Sequence, residues 1–168
     1  MKENLKIIEL KSTNDYREKL SELLIKVVED GASVGFLPPL DLTEANQYWD
    51  SVLKPEVILF IATVNDELAG SIQLHMSSKE NGKHRAEIAK LMTSPDFRRM
   101  GIGKILMENA EKRAKSENIS LIVLDTREGD PSNNLYQSFN YIEAGRIPHY
   151  AKSADGELHS TVFYYKEL

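Results

Sequence analysis

The segment Arg98-Arg99-Met100-Gly101-Ile102-Gly103-Lys104 joins a strand-like run to a long helical one, and this junction constrains the fold more than any other part of the sequence. Gly101 and Gly103 allow the backbone to come into contact distance of a ligand. The period of the succeeding residues fixes a helix: Ile102, Ile105, Leu106, Ala110 and Ala114 recur on one face, with Lys104, Glu108, Glu111, Lys112 and Lys115 largely on the other. A helix that begins at such a turn offers unpaired N–H groups and the positive end of its dipole. Arg98, Arg99 and Lys104 add charge beside it. The segment therefore predicts a mixed α/β chain with a pyrophosphate cradle where a strand hands over to a helix.

Several phosphate motifs place glycines before a helix, and single residues separate them. A P-loop needs Gly at position 98 and Ser or Thr at 105, where this chain has Arg98 and Ile105. A dinucleotide fingerprint continuing from Gly101 and Gly103 needs a third Gly at 106, which is Leu106. The pattern present is Arg-x-x-Gly-x-Gly, at Arg98, Gly101 and Gly103. With it the chain resembles the GCN5-related N-acetyltransferases, whose acyl-coenzyme A signature has this form. The resemblance implies that Arg98, Arg99, Met100, Gly101, Ile102, Gly103 and Lys104 hold acetyl-coenzyme A. The competing reading is a glycine-containing loop that starts a helix and binds nothing.

The 168 residues, 41% apolar, supply enough material for one core, and no linker, repeat or low-complexity stretch divides them. One domain over 1–168 is expected. The absence of cysteine excludes disulfides, thiolate metal sites and a cysteine nucleophile, and points to a reducing, cytoplasmic home. Met1-Lys2-Glu3-Asn4 carries no apolar export segment, and the longest apolar run, Val57 to Val64, is too short to cross a bilayer. No membrane association is expected. A net charge of -5 without a long basic cluster argues against a nucleic-acid ligand and is compatible with a cationic small molecule. His75, His84, His149 and His159 lack metal-ligand spacing, so no metal is expected and they read as surface or pocket-lining residues.

Leu5 to Leu10 reads as a first strand, and Ser12-Thr13-Asn14-Asp15 offers caps for a helix with the stripe Tyr16, Leu20, Leu23, Leu24, Val27, ending at Gly31. Gly31 to Leu40 is too rich in Gly and Pro to be regular and has the makings of a lid, and Leu42 to Leu53 resumes a short helix with Trp49. Val57 to Val64 and Glu67 to Met76 are strands joined by the tight hairpin signal Asn65-Asp66. A polar connection, Ser77 to His84, leads to a further strand, Arg85 to Met92. Beyond the Gly-rich helix come a strand at Ser120 to Asp125, a short helix from Asp130-Pro131 through Phe139, and strands at Tyr141 to Tyr150 and Leu158 to Lys166. The resemblance implies the same order, built as a mixed, mostly antiparallel sheet flanked by helices.

Acetyl transfer from a thioester to an amine asks for an uncharged nucleophile, a polarised carbonyl and a proton for the departing thiolate. A lysine-like amine has a pKa of about 10, so at neutral pH a base must remove its proton. Glu87, in the strand Ala86-Glu87-Ile88-Ala89-Lys90-Leu91-Met92, shares a face with Ala89 and Leu91 by strict alternation, an odd place for an acid unless it meets substrate or solvent. The competing reading is an ion pair with Arg85 or a nearby lysine. Asp125 closes the strand Leu121-Ile122-Val123-Leu124-Asp125, and ligands in open α/β sheets commonly bind beyond the carboxyl ends of strands. Its competing reading is a turn-forming Asp before Thr126.

Tyr136, in Asn134-Leu135-Tyr136-Gln137-Ser138-Phe139, would by itself read as core packing. The resemblance changes that, because Leu-Tyr followed three residues later by an aromatic matches the family motif whose tyrosine protonates or hydrogen-bonds the coenzyme A sulfur. Asn140 stands where the family usually has Gly, a small departure because Asn tolerates the left-handed conformation. The family also implies that backbone N–H groups of Leu91, Met92 and Thr93 polarise the carbonyl. One antibiotic-modifying member is matched more closely through Gly31 to Phe36, Arg85-Ala86-Glu87, Lys90-Leu91-Met92, Leu124-Asp125-Thr126, Asp155-Gly156 and Leu158-His159. That likeness implies that Glu87 and Asp125 activate the nucleophile and that Ser33 and Phe36 shape the acceptor pocket, with Tyr150 and His159 near the ends of the closing strands. A purely structural Gly31 to Phe36 loop remains the alternative.

The resulting expectation is acetyl-coenzyme A-dependent N-acetylation of a small, amino-acid-like or antibiotic-like primary amine. A protein or peptide amine as acceptor, and a non-catalytic acyl-coenzyme A sensor, are the competing functions. A homodimer is compatible with the family, although no stretch of the sequence marks an interface.

Overall fold

The structure, a computed structural model, describes residues 4–168. The residues Met1 to Glu3, on which the expectation about an export segment partly falls, lie outside the described residues. The frame is a seven-stranded sheet in the order β1-β2-β3-β4-β5-β7-β6. The strands are β1 (Leu5–Leu10), β2 (Val57–Val64), β3 (Glu67–Met76), β4 (Arg85–Thr93), β5 (Leu121–Arg127), β6 (Ile142–Lys152) and β7 (Leu158–Glu167). Four helices accompany them among the described residues: α1 (Arg17–Glu29), α2 (Leu42–Val52), α3 (Ile102–Ser116) and α4 (Ser132–Ser138). The element order and the mixed, mostly antiparallel sheet are those expected from the sequence. Every neighbouring pair is antiparallel except β4 with β5.

Helices cover β2 on both faces, so all eight of its residues are buried and its sequence, VILFIATV, shows no alternation. Ile58, Phe60 and Ala62 join the core under α3, which takes in Ile102, Leu106 and Ala110. Leu59 and Ile61 join the other core, under α1 and α2, with Leu20, Leu24 and Trp49. The β2–β3 connection is a two-residue hairpin in which Asn65 and Asp66 have φ of 51° and 66°, the left-handed pair that matches the twist of the flanking strands.

Three local expectations need correction. The Ser12 to Asp15 stretch does not cap α1, whose N-cap is Tyr16 without a side-chain bond. Thr13 instead donates its hydroxyl to the Trp49 carbonyl, 3.2 Å away, tying the start of α1 to α2. Glu111, read as lying on the polar face of α3, is buried, because Lys166 of β7 meets both its carboxylate oxygens at 2.7 and 2.8 Å. Leu91 does not share a face with Glu87. A bulge against β3, where Ala89 faces Gln73 and Met92 already faces Ser71, inserts an extra residue. Leu91 therefore packs toward the α3 core and Met92 toward the α1–α2 core.

Candidate functional site

β4 and β5 run in register only from Arg85–Leu121 to Glu87–Val123, after which the parallel ladder ends. The two strands part, and the gap opens toward their carboxyl ends, where parallel strands commonly present ligands. The bulge in β4 lies just beyond the parting. Lys90, at its centre, holds a left-handed φ of 53°, a conformation that costs an L-residue about 1–2 kcal/mol.

A cavity of about 280 Å³ fills this gap. Glu87 and Lys90 of β4, Asp125 and Arg127 of β5, Tyr136 of α4 and Thr161 of β7 all line it. Of the residues singled out in the sequence, it brings together Glu87, Asp125, Tyr136, Leu91, Ser33, Tyr150 and His159. It does not include Phe36, whose ring turns away and packs edge-on against Tyr48 with centroids 5.2 Å apart. Phe36 lines a neighbouring cavity of about 250 Å³ with Leu37, Pro38 and Ser153. The turn Gly31 to Phe36 thus serves two hollows, because successive side chains of an irregular loop point in different directions.

Burial raises the pKa of Glu87 above the ordinary carboxylate value, the charge of Asp125 pushes it the same way, and the ammonium of Lys90 opposes both. The side chain keeps contact with cavity solvent, so its desolvation is partial. Asp125 accepts a hydrogen bond from the Thr161 hydroxyl at 2.9 Å. Tyr136 is buried, its pKa raised well above that of free phenol first by burial and then by the charges of Asp125 and Asp130. Its ring leans on Tyr141 and Tyr164 at 6.0 and 6.1 Å. A phenol held this firmly protonated is a donor at neutral pH.

The Gly-rich turn stands beside the cavity. Gly101, at φ 74°, is the residue before α3, and Arg99 is left-handed too, at 63°. The first intrahelical bond there is Ile105 N–H to Gly101 C=O, at 3.1 Å. The N–H groups of Ile102, Gly103 and Lys104 therefore lack intrahelical partners. A Cβ built on Gly101 meets nothing within 4 Å, which leaves the approach to these donors open. On Gly103 it would stand 3.3 Å from Leu135 and 3.9 Å from the Thr93 hydroxyl. The cradle so formed suits a pyrophosphate. Arg98 reaches away from the turn to pair with Asp30 beyond α1, while Arg99 and Lys104 stay exposed. The Met92 side chain is buried, so only its backbone is available to a ligand.

Sequence reasoning passed over Lys90 and Arg127. The guanidinium of Arg127 donates to Asp130 at 2.9 Å, to Ser153 at 2.9 Å and to the Gly31 carbonyl at 2.8 Å. It thereby fastens the start of α4, the β6–β7 hairpin and the loop after α1 to the end of β5. The available signal for Lys90 was a charge flanked by Ala89 and Leu91 in the same strand as Glu87; for Arg127, whose partners lie up to 96 positions away, the sequence carries none. His75 sits opposite Glu87 on β3 and lines a further cavity of about 360 Å³ that shares Glu87 and Lys90.

A parted β4–β5 pair followed by a Gly-led helix after β4 is a fold that leaves room for a ligand within its sheet. The chain belongs to the acetyltransferase (GNAT) family, whose model matches residues 14–141. Members of that family use acetyl-coenzyme A. An uncharacterised N-acetyltransferase in the hisH–hisA intergenic region of Azospirillum brasilense is 30% identical over 104 residues, covering 60% of this chain and 62% of that protein. The chain thus matches somewhat less than two thirds of its relative's length. A GNAT-family acetyltransferase from Streptococcus pneumoniae superposes with a TM-score of 0.82 at 18% identity, over 98% of this chain and 100% of that one. YncA of Salmonella typhimurium, solved with its cofactor acetyl-CoA, does so at 0.80 and 14%, over 98% and 94%. At these identities the structural likeness is one of fold. Among the described residues no helix is long and apolar enough to cross a membrane.

Proposed function

We propose that residues 1–168 act as one N-acetyltransferase domain that moves the acetyl group of acetyl-coenzyme A directly to the primary amine of a small molecule in the cytoplasm. The observation that carries this reading is the convergence of Glu87, Asp125 and Tyr136 on one cavity beside the Gly-rich N-terminus of α3. Bound acetyl-coenzyme A supplies an activated acyl carbon and a thiolate leaving group. The backbone of Arg98 to Lys104 receives the pyrophosphate, and Leu91, Met92 and Thr93 offer N–H groups to the thioester carbonyl. Glu87 or Asp125 takes the proton from the acceptor ammonium. Its raised pKa makes Glu87 a stronger base than an ordinary carboxylate. Tyr136 donates its hydroxyl proton toward the sulfur.

A pocket walled by Ser33, Tyr150 and His159, and bordered by the loop that Arg127 holds, favours a small acceptor over a protein chain. The likeness of Gly31 to Phe36, Leu124-Asp125-Thr126 and Leu158-His159 to the tabtoxin resistance acetyltransferase favours an amino-acid-like or antibiotic-like one. Coenzyme A release, followed with acetyl-coenzyme A and a panel of amino acids, aminoglycosides, β-lactam amino acids and N-terminal peptides, tests the reading. Turnover on small amines is the expected result. Turnover confined to peptides overturns the acceptor class, and thermal stabilisation by acetyl-coenzyme A without any turnover overturns the catalytic reading.

A further inference from the structure

The cavity holds two carboxylates and one ammonium, and the ammonium has no hydrogen-bonding partner among the described residues. Lys90 has Asp125 and Glu87 as its charged neighbours, and both act on it through space without a hydrogen bond. The other cation in the wall, Arg127, is spent on Asp130, Ser153 and the Gly31 carbonyl. His159 leans out to Asp155 at 3.4 Å. An ammonium that is partly withdrawn from water and unpaired is costly, and here it is held in place by a bulge that itself requires a left-handed residue. Bulges re-aim side chains, and a strained residue in a ligand cavity points to a role. Gly35 closes over the same group: a Cβ added there would come within 3.0 Å of the Lys90 Nζ, and its φ of 88° suits glycine.

From this arrangement we infer that Lys90 receives a carboxylate of the acceptor, so that the acceptor class is a zwitterionic amino acid whose ammonium faces Glu87 and Asp125. The inference rests on the acetyl-transfer reading. A neutral amine would leave Lys90 unpaired, and a diamine would set a second positive charge against it. A carboxylate at Lys90 gives the ammonium its partner within the cavity that Glu87 and Asp125 also line. Burial lowers the pKa of Lys90 against the pull of both acids, and an incoming carboxylate would favour its charged form. In the reaction the acceptor ammonium gives one proton to a carboxylate, and the freed amine nitrogen bonds to the acetyl carbon as the carbon–sulfur bond breaks. The thiolate takes a proton from Tyr136, and the second proton shed by nitrogen restores the Tyr136 hydroxyl, leaving one proton released overall. The acceptor's own carboxylate does not react.

The test measures kcat/KM for matched α-, β- and γ-amino acids and their carboxamides, with wild type, Lys90→Met and Lys90→Arg, each checked for folding by thermal denaturation. Wild type should prefer at least one acid over its carboxamide by about tenfold or more, the worth of one charge-assisted hydrogen bond. Lys90→Met should bring the acid-to-amide ratio close to one, chiefly through KM, and Lys90→Arg should keep part of it. Equal use of acids and carboxamides by wild type, or an unchanged ratio in Lys90→Met, overturns the inference while leaving acetyl transfer standing. Failure of folded, cofactor-binding wild type to acetylate any member overturns the acetyl-transfer reading itself, and this inference with it.

Discussion

Replacing Gly103 by Val separates the fold of the cradle from its ligand. Gly103 is the second residue of α3, where Val is about 0.4 kcal/mol better than Gly by intrinsic helix propensity. Against this, the new Cβ stands 3.3 Å from Leu135, a half-buried side chain that can give, so the crowding costs at most about 1 kcal/mol. The net change in stability is therefore within about 1 kcal/mol of zero. Binding is another matter, because the isopropyl group shields the N–H groups at the start of α3. Each N–H bond to a charged phosphate oxygen is worth about 1.5–3 kcal/mol, so losing two weakens acetyl-coenzyme A by roughly 10²- to 10⁴-fold. Gly101→Val makes the contrast, since its φ of 74° costs a β-branched residue about 1–2 kcal/mol or more in the folded state itself. Calorimetric titration with acetyl-coenzyme A, alongside urea denaturation, reads both quantities. A folded Gly103→Val protein that binds within threefold of wild type would refute the cradle.

Tyr136→Phe should lower kcat by about 10²-fold or more with acetyl-coenzyme A affinity within twofold, as loss of a general acid does; native turnover rejects the donor role. Glu87→Gln should abolish the acid limb of the pH–rate profile, which lies above the usual carboxylate range because the folded protein raises this pKa. The same shift has a stability sign: the folded state favours the protonated acid, so this stabilisation is full below the unfolded pKa and fades as pH rises through the folded one. Glu87→Gln should accordingly be more stable than wild type at pH 7 and no more stable at pH 3, and equal melting differences at both pH values would contradict the assignment. Lys166→Met leaves Glu111 buried and unpaired and should cost roughly 2–4 kcal/mol in urea denaturation; adding Glu111→Leu should recover much of it, and an unchanged midpoint in the single variant would show the pair to be inert.

Local signals set the elements and the motif. The apolar run of β2, the Asn65-Asp66 turn and the helical period after Gly101 are interactions between near neighbours in sequence, so their period and turn chemistry could be read without coordinates. Glu87, Asp125 and Tyr136 were legible as chemistry-bearing types within a strand, at a strand's close and on a short helix, with the family resemblance supplying their expected roles.

Only the tertiary structure decided which groups share a cavity and which charges find partners. The bulge that moves Leu91 off the face of Glu87 and presents Lys90 arises from the pairing of β4 with β3, and strict alternation within one strand cannot reveal it. Glu111 looked solvated until β7 brought Lys166 against α3. Phe36 left the cavity for Tyr48, and Arg127 became the clamp on three loops through partners three, 26 and 96 positions away. The sequence by itself determined the strands, the helices and the Gly-rich turn before α3, because each depends on residues within a few positions of one another. The cavity between β4 and β5 depends on long-range juxtaposition of charges from separate strands, and that exists only once the chain has folded.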